Sequence, residues 1–354
     1  MVKKWLLSIF VAFTILFVAS VIVSNTKISF DKDSNYVVDL PKEMRVAVVS
    51  RDKSAARGEG LSFLVDKVNV PSVGDDEVLV AVKTAAMTDN DFVFFSRNQH
   101  QESFVPCADF AGVVVRIGKD VKLYEVGDKV MGTLDVGSRN GACAEYVVVP
   151  QNNIYVMPYS LSFKQAATIP TPALLNWFAV HNLERSGFKK GRVLVDDAVS
   201  DVGIMLTGLL SRNGFEVVAV DDDSVETWAS SLGVKEFIGN SKFAEKRDAL
   251  KGSFDVVINL KHGQSVEDLL SLVKKKGTFI SFEKIAANRD DVRTLIIDYA
   301  LISKDVFAKM ARLVHLSKLQ VSIAKEYKLE QIKEAFFASK NGGLNGRVVV
   351  NISK

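Results

Sequence analysis

Arg192-Val193-Leu194-Val195-Asp196-Asp197-Ala198-Val199-Ser200-Asp201-Val202-Gly203 decides the fold. The first five residues hold a short apolar run and read as a buried strand. The stretch 202–212 then carries apolar residues at 202, 205, 206, 209 and 210, the spacing of one helix face. A strand that turns within a few residues into a helix is the first half of a βαβ unit, and the same rhythm continues downstream. Residues 216–220 read as a strand, and 223–232 as a helix with Asp223 as N-cap and Glu226 three positions on. Residues 254–260 and 278–282 read as strands separated by a helical stretch over 265–274. Strand and helix alternating at this spacing predict an α/β fold built on a doubly wound parallel sheet. A helix over 329–339 and a strand over 347–352 close the chain.

Upstream of residue 165 the pattern differs. Short strands are predicted over 45–49, 77–83, 111–117 and 144–149, with Gly118, Gly127 and Gly132 marking turns around 129–131 and Pro150 closing the last strand. Many short strands with turn residues between them suggest a barrel-like β domain. A length of 354 residues accommodates two domains of ordinary size. Hydrophobic residues at 48% and charged residues at 25% are globular composition. Lys+Arg 45 against Asp+Glu 42 leaves a net charge of +3, no basic excess for binding nucleic acid. Two cysteines, Cys107 and Cys143, exclude a disulfide scaffold and a four-thiolate zinc site.

The first residues stand apart. Lys3 and Lys4 precede 22 uncharged residues, 5–26, in which Leu6, Leu7, Ile9, Phe10, Val11, Ile15, Leu16, Phe17 and Val18 leave no polar face. That pattern predicts a single transmembrane helix over 5–24 and a single-pass membrane protein. The rival is a cleaved secretory signal, which the small residues Ala19, Ser20 and Ser24 leave open. Lysines before the span, and Asp31 and Asp33 after it, favour a cytosolic N-terminus with the folded part across the membrane. Residues 27–43 read as a tether.

The order β domain, α/β domain, final helix and strand comes with a series of short motifs. These are Glu77-Val78-Leu79-Val80, Asp109-Phe110-Ala111-Gly112-Val113-Val114, Val126-Gly127-Asp128-Lys129-Val130, Gly141-Ala142-Cys143-Ala144-Glu145-Tyr146 and Leu232-Gly233. In this order the chain from about 44 to 354 resembles the medium-chain dehydrogenase/reductases, most closely their zinc-free quinone oxidoreductase (zeta-crystallin-like) branch. The resemblance implies a GroES-like β domain over 44–165 and a Rossmann-type dinucleotide-binding domain over 166–305. A last segment, 306–354, would return to the GroES-like domain. Zinc-dependent relatives carry Gly-His-Glu where this chain has Cys107-Ala108-Asp109, and the four histidines show no ligand spacing, so no zinc is expected.

The resemblance also implies a nicotinamide cofactor. In the branch the first turn reads Ala/Gly-x-x-Gly-x-x-Gly, whereas here only Gly203 survives of the glycines. Ser200 stands where a missing side chain lets pyrophosphate approach, and Asp197 and Asp201 add carboxylates beside Val202. Facing the ligand, each would repel phosphate by about 2–4 kcal/mol; turned to solvent, they would only cap the helix. Asp221, with Asp222 and Ser224, lies where an acid holds the adenosine ribose, which favours NADH over NADPH. The family further implies nicotinamide contacts from Asn176, from the loop Leu260 to Gly263 and from Ser281, and a substrate loop with Thr88 and Asp91. No catalytic residue or proton donor is identified.

Two functions follow. One is a membrane-tethered NAD(P)H-dependent oxidoreductase passing hydride to a quinone, enone or related carbonyl, a small hydrophobic substrate. The other is a non-catalytic member that keeps the fold as a binding or scaffold module. The resemblance makes a homodimer the default. Cys107 and Cys143 are not expected to be nucleophiles; if the domain is exported they could pair, which sequence leaves open because it does not give their Cα separation.

Overall fold

The structure is a computed structural model that describes residues 39–52, 60–87, 91, 100–134, 140–261, 266–282, 285, 289–297, 322–340 and 346–353. The stretch 5–24 and the tether up to residue 38 lie outside the described residues. Among the described residues no helix is long and apolar enough to cross a membrane.

The N-terminal half is built on eight strands: β1 (Glu43–Asp52), β2 (Gly60–Asn69), β3 (Glu77–Ala86), β4 (Ser103–Phe104), β5 (Asp109–Ile117), β6 (Lys129–Thr133), β7 (Tyr146–Pro150) and β8 (Ile154–Val156). β1 is the centre of a three-stranded sheet, with β2 and β4 on either side. β2, whose burial alternates with exposed polar positions, has too weak an apolar pattern to be read from sequence. β3 pairs antiparallel with β5 and β7, and β5 with β6.

The parallel sheet is made of β9 (Arg192–Asp196), β10 (Glu216–Asp221), β11 (Glu236–Gly239), β12 (Phe254–Asn259), β13 (Val273–Ser281) and β14 (Arg293–Ile296). Its strand order is β11-β10-β9-β12-β13-β14, the doubly wound arrangement whose order reverses between β9 and β12. Val193, Leu194 and Val195 are fully buried, as a strand covered on both faces requires. Helices α2 (Pro170–Arg185) and α3 (Asp201–Arg212) pack beside it, whereas α1 (Phe163–Ala167) packs on β3, β5 and β6. α2 starts on Pro170, which costs nothing at a position whose N–H has no helical acceptor.

Two sequence-based boundaries are corrected. The helix predicted over 223–232 is a 3-10 turn, Asp223–Val225, capped by Asp222 rather than Asp223, followed by α4 (Glu226–Ser231). Of the stretch predicted over 265–274, Val266–Ser271 is α-helical, and the helix stops short of 274 because Val273 already pairs with Phe254 as the start of β13.

The chain ends by crossing back. β15 (Ile323–Lys328) and β16 (Arg347–Asn351) join the antiparallel sheet, β16 against β3 with Val350 opposite Ala85. This places Arg347 next to residues from both halves.

Candidate functional site

The site forms at the carboxyl edge of the parallel sheet, beside the strand-order reversal where such folds bind ligands. Asp196 on β9 pairs with Asn259 on β12, and Asn259 with Ser281 on β13, so three polar side chains end three neighbouring strands. All three are buried. Neither carboxylate oxygen of Asp196 and no amide hydrogen of the Asn259 Nδ2 meets a partner. Burial, outweighing nearby Lys261, pushes the Asp196 carboxyl up to about 7, with Asp197 and Asp221 adding repulsion.

The turn from β9 to α3 was the weakest part of the family pattern, and its geometry explains how it folds without glycines. Asp197 takes the left-handed conformation, φ 66°, one of the few non-glycine types that tolerate it. Ser200 caps α3: its Oγ accepts from the Gly203 amide at 3.1 Å and donates to the Asp197 carbonyl at 2.8 Å. Gly203 is obligatory, because a Cβ there would lie 2.3 Å from the Asp197 carbonyl oxygen. Asp201 Oδ1 accepts from the Val202 amide at 2.8 Å. Asp221 Oδ2 accepts from the Val199 amide at 2.8 Å, and its other oxygen from the Asp222 amide at 2.7 Å. The Ser200 amide donates to the Asp197 carbonyl at 3.2 Å. The donors that a Rossmann turn offers to pyrophosphate are thus engaged inside the turn itself. Burial pushes the Asp197 carboxyl up to about 6, helped by the Asp221 charge and opposed by Lys261.

The site residues expected from sequence divide accordingly. Asn176, fully buried on α2, donates its Nδ2 to the Val202 carbonyl at 3.1 Å, and its Oδ1 has no partner. Asn176, Ser200, Asp201, Val202, Gly203 and Asp221 gather around one turn, with Asp196 and Asn259 beside it. Asp222 is exposed and accepts from the Ser224 amide and hydroxyl, so both serve as a local cap. Leu260 and Ser281 lie at the same sheet edge. Gly263 and Thr88 lie outside the described residues. Asp91 turns toward the β4–β5 connection, where its Oδ1 accepts from the Cys107 amide at 2.9 Å. Cys107 and Cys143 are joined in a disulfide with Cα atoms 5.6 Å apart. Among the described residues no group of three or more His, Cys, Asp or Glu side chains forms a metal site.

Sequence reasoning missed the polar centre that ties this turn to the rest of the chain. Asp109 on β5 and Arg347 on β16 form an ion pair with both side chains fully buried. Arg347 also donates to the Met87 carbonyl at 3.0 and 3.2 Å and to the Thr168 carbonyl at 3.1 Å. Asp109 accepts from the Thr171 amide at 3.0 Å and hydroxyl at 2.7 Å. Asp201 Oδ2 stands 3.6 Å from Arg347 Nε, so Asp201 is turned inward to a cation rather than out to solvent. The available signal was a lone arginine heading an apolar strand, Arg347-Val348-Val349-Val350.

A doubly wound parallel sheet with a polar carboxyl edge, joined to an antiparallel sheet that the chain re-enters at its end, is an architecture that dinucleotide-dependent oxidoreductases use. Comparison with known proteins gives the family. Residues 74–159 match the alcohol dehydrogenase GroES-like domain, and 232–350 match the zinc-binding dehydrogenase family. The tomato (Solanum lycopersicum) 2-methylene-furan-3-one reductase is 28% identical over 302 residues, 81% of this chain and 75% of that protein. The chloroplastic quinone-oxidoreductase QR1 of Triphysaria versicolor is 26% identical over 314 residues, 80% of this chain and 92% of that one. The quinone oxidoreductase structure from Coxiella burnetii superposes with a TM-score of 0.75 at 22% identity, over 88% of this chain and all of that one, and so has the same fold. The chain belongs to the medium-chain dehydrogenase/reductase superfamily, with quinone oxidoreductase-like relatives.

The cofactor implied by that family is NAD(P)H. The nicotinamide end fits: the Asn176 Oδ1 acceptor and the Asn259 Nδ2 donor are buried and unpartnered, the complement of a carboxamide. The pyrophosphate end fits only when the turn releases its own donors, since Asp197, Asp201 and Asp221 surround the seat.

Proposed function

We propose that the chain is an NAD(P)H-dependent oxidoreductase of the quinone oxidoreductase type, working without zinc and preferring NADH, on a small hydrophobic quinone, enone or related carbonyl. The observation that carries this reading is two orphaned buried atoms, Asn259 Nδ2 at the carboxyl edge of the doubly wound sheet and Asn176 Oδ1 on α2 against the first turn of α3. Leaving buried polar groups unpaired costs about 1–3 kcal/mol each, a cost that a bound carboxamide removes. Bound NADH supplies the hydride; the protein supplies position. Asn176, held by the Val202 carbonyl, and Asn259, fixed in the β-sheet register, would hold the cofactor's carboxamide. Names of similar proteins, a furanone reductase and a quinone oxidoreductase, support electron-poor alkenes or quinones as the substrate class. The test is NADH oxidation, followed by nicotinamide absorbance, with benzoquinone and an unhindered enone as acceptors. No turnover with either, at saturating NADH, overturns the catalytic reading.

On this reading the chain divides at about 44–165, 166–305 and 306–354, the stretch 5–24 tethers it to a membrane, and two copies form a dimer. The 22 uncharged residues of 5–26 support the tether.

A second reading, a non-catalytic binding or scaffold module, is favoured by the turn that spends its own donors. Absence of dinucleotide binding at any pH would select it.

A further inference from the structure

Charge is segregated along the parallel sheet. The carboxyl edge carries Asp196, Asp197, Asp221 and Asp222, whereas the amino edge is basic. Lys189 and Lys190 lead into β9, Lys235 leads into β11, and Lys274, Lys275 and Lys276 follow the first residue of β13. Backbone and side-chain bonds hold these strand starts side by side. The Glu216 amide donates to the Gly191 carbonyl at 2.9 Å and the Lys235 amide to the Val217 carbonyl at 2.8 Å. Asp255 accepts from the Arg192 amide at 2.8 Å and from Lys274 Nζ at 2.7 Å. Phe254 pairs with Val273 and Val256 with Thr278, so 274–277 bulge out opposite Asp255 alone. In that bulge Lys276 is left-handed, φ 63°, a conformation natural to glycine and uncommon for lysine. The neighbouring acids are taken: Glu236 by Arg192 and Lys246, Asp248 by Lys251, Asp255 by Lys274, and both oxygens of Asp291 by Arg289. Lys189, Lys190, Lys235 and Lys276 are exposed and have no ion-pair partner among the described residues, and exposed Lys275 lies near the already paired Asp291. Against them stand the exposed Glu216 and Asp290, while Glu184 is followed by Arg185 at the end of α2.

We propose that the amino edge of the parallel sheet is a docking surface for an anionic lipid bilayer, and that the chain sits on it with the acidic carboxyl edge turned away. The inference does not rest on the dinucleotide reading. Charge complementarity gives the sign: unpaired lysines attract an anionic surface, and the aspartates at the far ends of the same strands are repelled by it, so one orientation wins. The chemistry of the cations gives the class of partner. A lysine ammonium is a point charge on a flexible stem, suited to a fluid array of phosphates and lacking the fixed fork of arginine. From β11 to β13 the edge spans four strand spacings, about 19 Å. Its aromatic neighbours Phe188, Phe215 and Phe254 pack into the core, so nothing there stacks bases as a nucleic-acid site requires. The uncharged stretch 5–26, read above as a tether, would add a second and independent hold on the same kind of surface. Each lysine close to an anionic bilayer strengthens partition about fivefold.

The test is flotation of the full chain with vesicles of phosphatidylcholine alone and of phosphatidylcholine with about 30% phosphatidylserine, at about 0.1 M and about 0.5 M salt. Neutral vesicles report what the stretch 5–24 contributes, and the difference between the two compositions reports the basic edge. Supporting results are partition at least about tenfold stronger onto the anionic vesicles at low salt, most of it lost at high salt. Lys189→Gln, Lys190→Gln, Lys275→Gln and Lys276→Gly together should remove most of that difference, and the glycine suits the left-handed position. Lys42→Gln, Lys67→Gln, Lys122→Gln and Lys333→Gln together, elsewhere on the surface, should leave it within about twofold. If a variant does not fold, the lipid and salt comparison on the natural chain decides alone. Equal partition onto both kinds of vesicle, or equal losses in the two variants, overturns this inference and leaves the oxidoreductase reading standing. So does binding of soluble poly-glutamate as tight as binding of the anionic vesicles, which would assign the edge to an acidic protein.

Discussion

The Asp221 carboxylate receives the Val199 amide at 2.8 Å, so the acid at the end of β10 grips the turn that follows β9. In this fold the acid at that strand end holds the adenosine ribose and the turn amides hold pyrophosphate. Here the strand-end acid and the turn satisfy each other. The contact lowers the need for glycine in the turn, since a side chain, not a ligand, occupies the donor. It also means that a dinucleotide competes with Asp221 for Val199.

The glycine pattern of the family can therefore be restored by substitution. Ser200→Gly with Asp201→Gly is expected to tighten NADH binding at least tenfold, equivalent to about 1.4 kcal/mol. The same change removes the Ser200 cap of α3, costing about 1 kcal/mol of stability, and takes the second carboxylate from Arg347. Fluorescence titration with NADH gives the affinity and urea unfolding gives the cost. Unchanged affinity in a folded variant would show that the turn side chains do not limit binding.

Coenzyme preference rests on Asp221 and Asp222. Their charges disfavour the 2′-phosphate of NADPH, and among the described residues no arginine pairs with either. Asp221→Ala with Asp222→Ala is expected to narrow the ratio of NADPH to NADH dissociation constants by about tenfold or more. A natural chain that binds NADPH more tightly than NADH refutes this placement of the acids.

Asp109 and Arg347 supply a large single-residue stability effect. Both side chains are fully buried, and Asp109 also takes the amide and hydroxyl of Thr171. Asp109→Ala leaves the buried guanidinium without its close partner, with Asp201 at 3.6 Å the remaining carboxylate beside it, and is expected to cost about 3 kcal/mol, read by chemical denaturation. Asp109→Leu with Arg347→Met removes both charges together and should cost less than Asp109→Ala. Equal losses in the two variants would mean that the Thr171 and Met87 contacts, not charge balance, dominate.

The alternation of strand and helix after residue 192 was legible because each strand is apolar and each helix amphipathic, so one dimension of sequence carries the sheet. β2 was not, because its exposed face leaves too little periodicity, and α2 was not, because Pro170 and Pro172 read as turn signals. That Asn176, Ser200, Asp201 and Asp221 meet around one turn was legible, since the family pattern fixes their spacing. Their mutual bonds were not, because spacing cannot say whether Asp221 faces a ribose or Val199. Nor could it bring Asp109 to Arg347 across 238 positions.

Cys107 and Cys143 close a loop of sequence separation 36. Cross-linking a loop of that length lowers unfolded-state entropy by an amount worth about 3–4 kcal/mol. Cys143→Ser is expected to lower stability by up to that amount while leaving dinucleotide affinity unchanged, because neither sulfur belongs to the turn. Intact-mass measurement of the natural chain without reductant should read lighter by two hydrogen atoms than after reduction. An unchanged mass would refute the cross-link.

Asp196 makes stability depend on pH with an unusual sign. Its carboxyl is raised to about 7 in the folded protein by burial, and neither oxygen has a partner. The folded chain therefore holds a proton that the unfolded chain has lost between about pH 4 and pH 7, so stability falls as pH rises through that window. Most surface carboxylates act oppositely, since their partners lower them. A shift of this size is worth a few kcal/mol, on the order of 1.4 kcal/mol per unit. Asp196→Asn keeps the volume and removes the charge. It should gain most stability over the natural chain at about pH 8 and match it only below about pH 4, when urea midpoints are compared at each. A gain of equal size at both pH values would show that packing, not ionisation, is what the substitution changes.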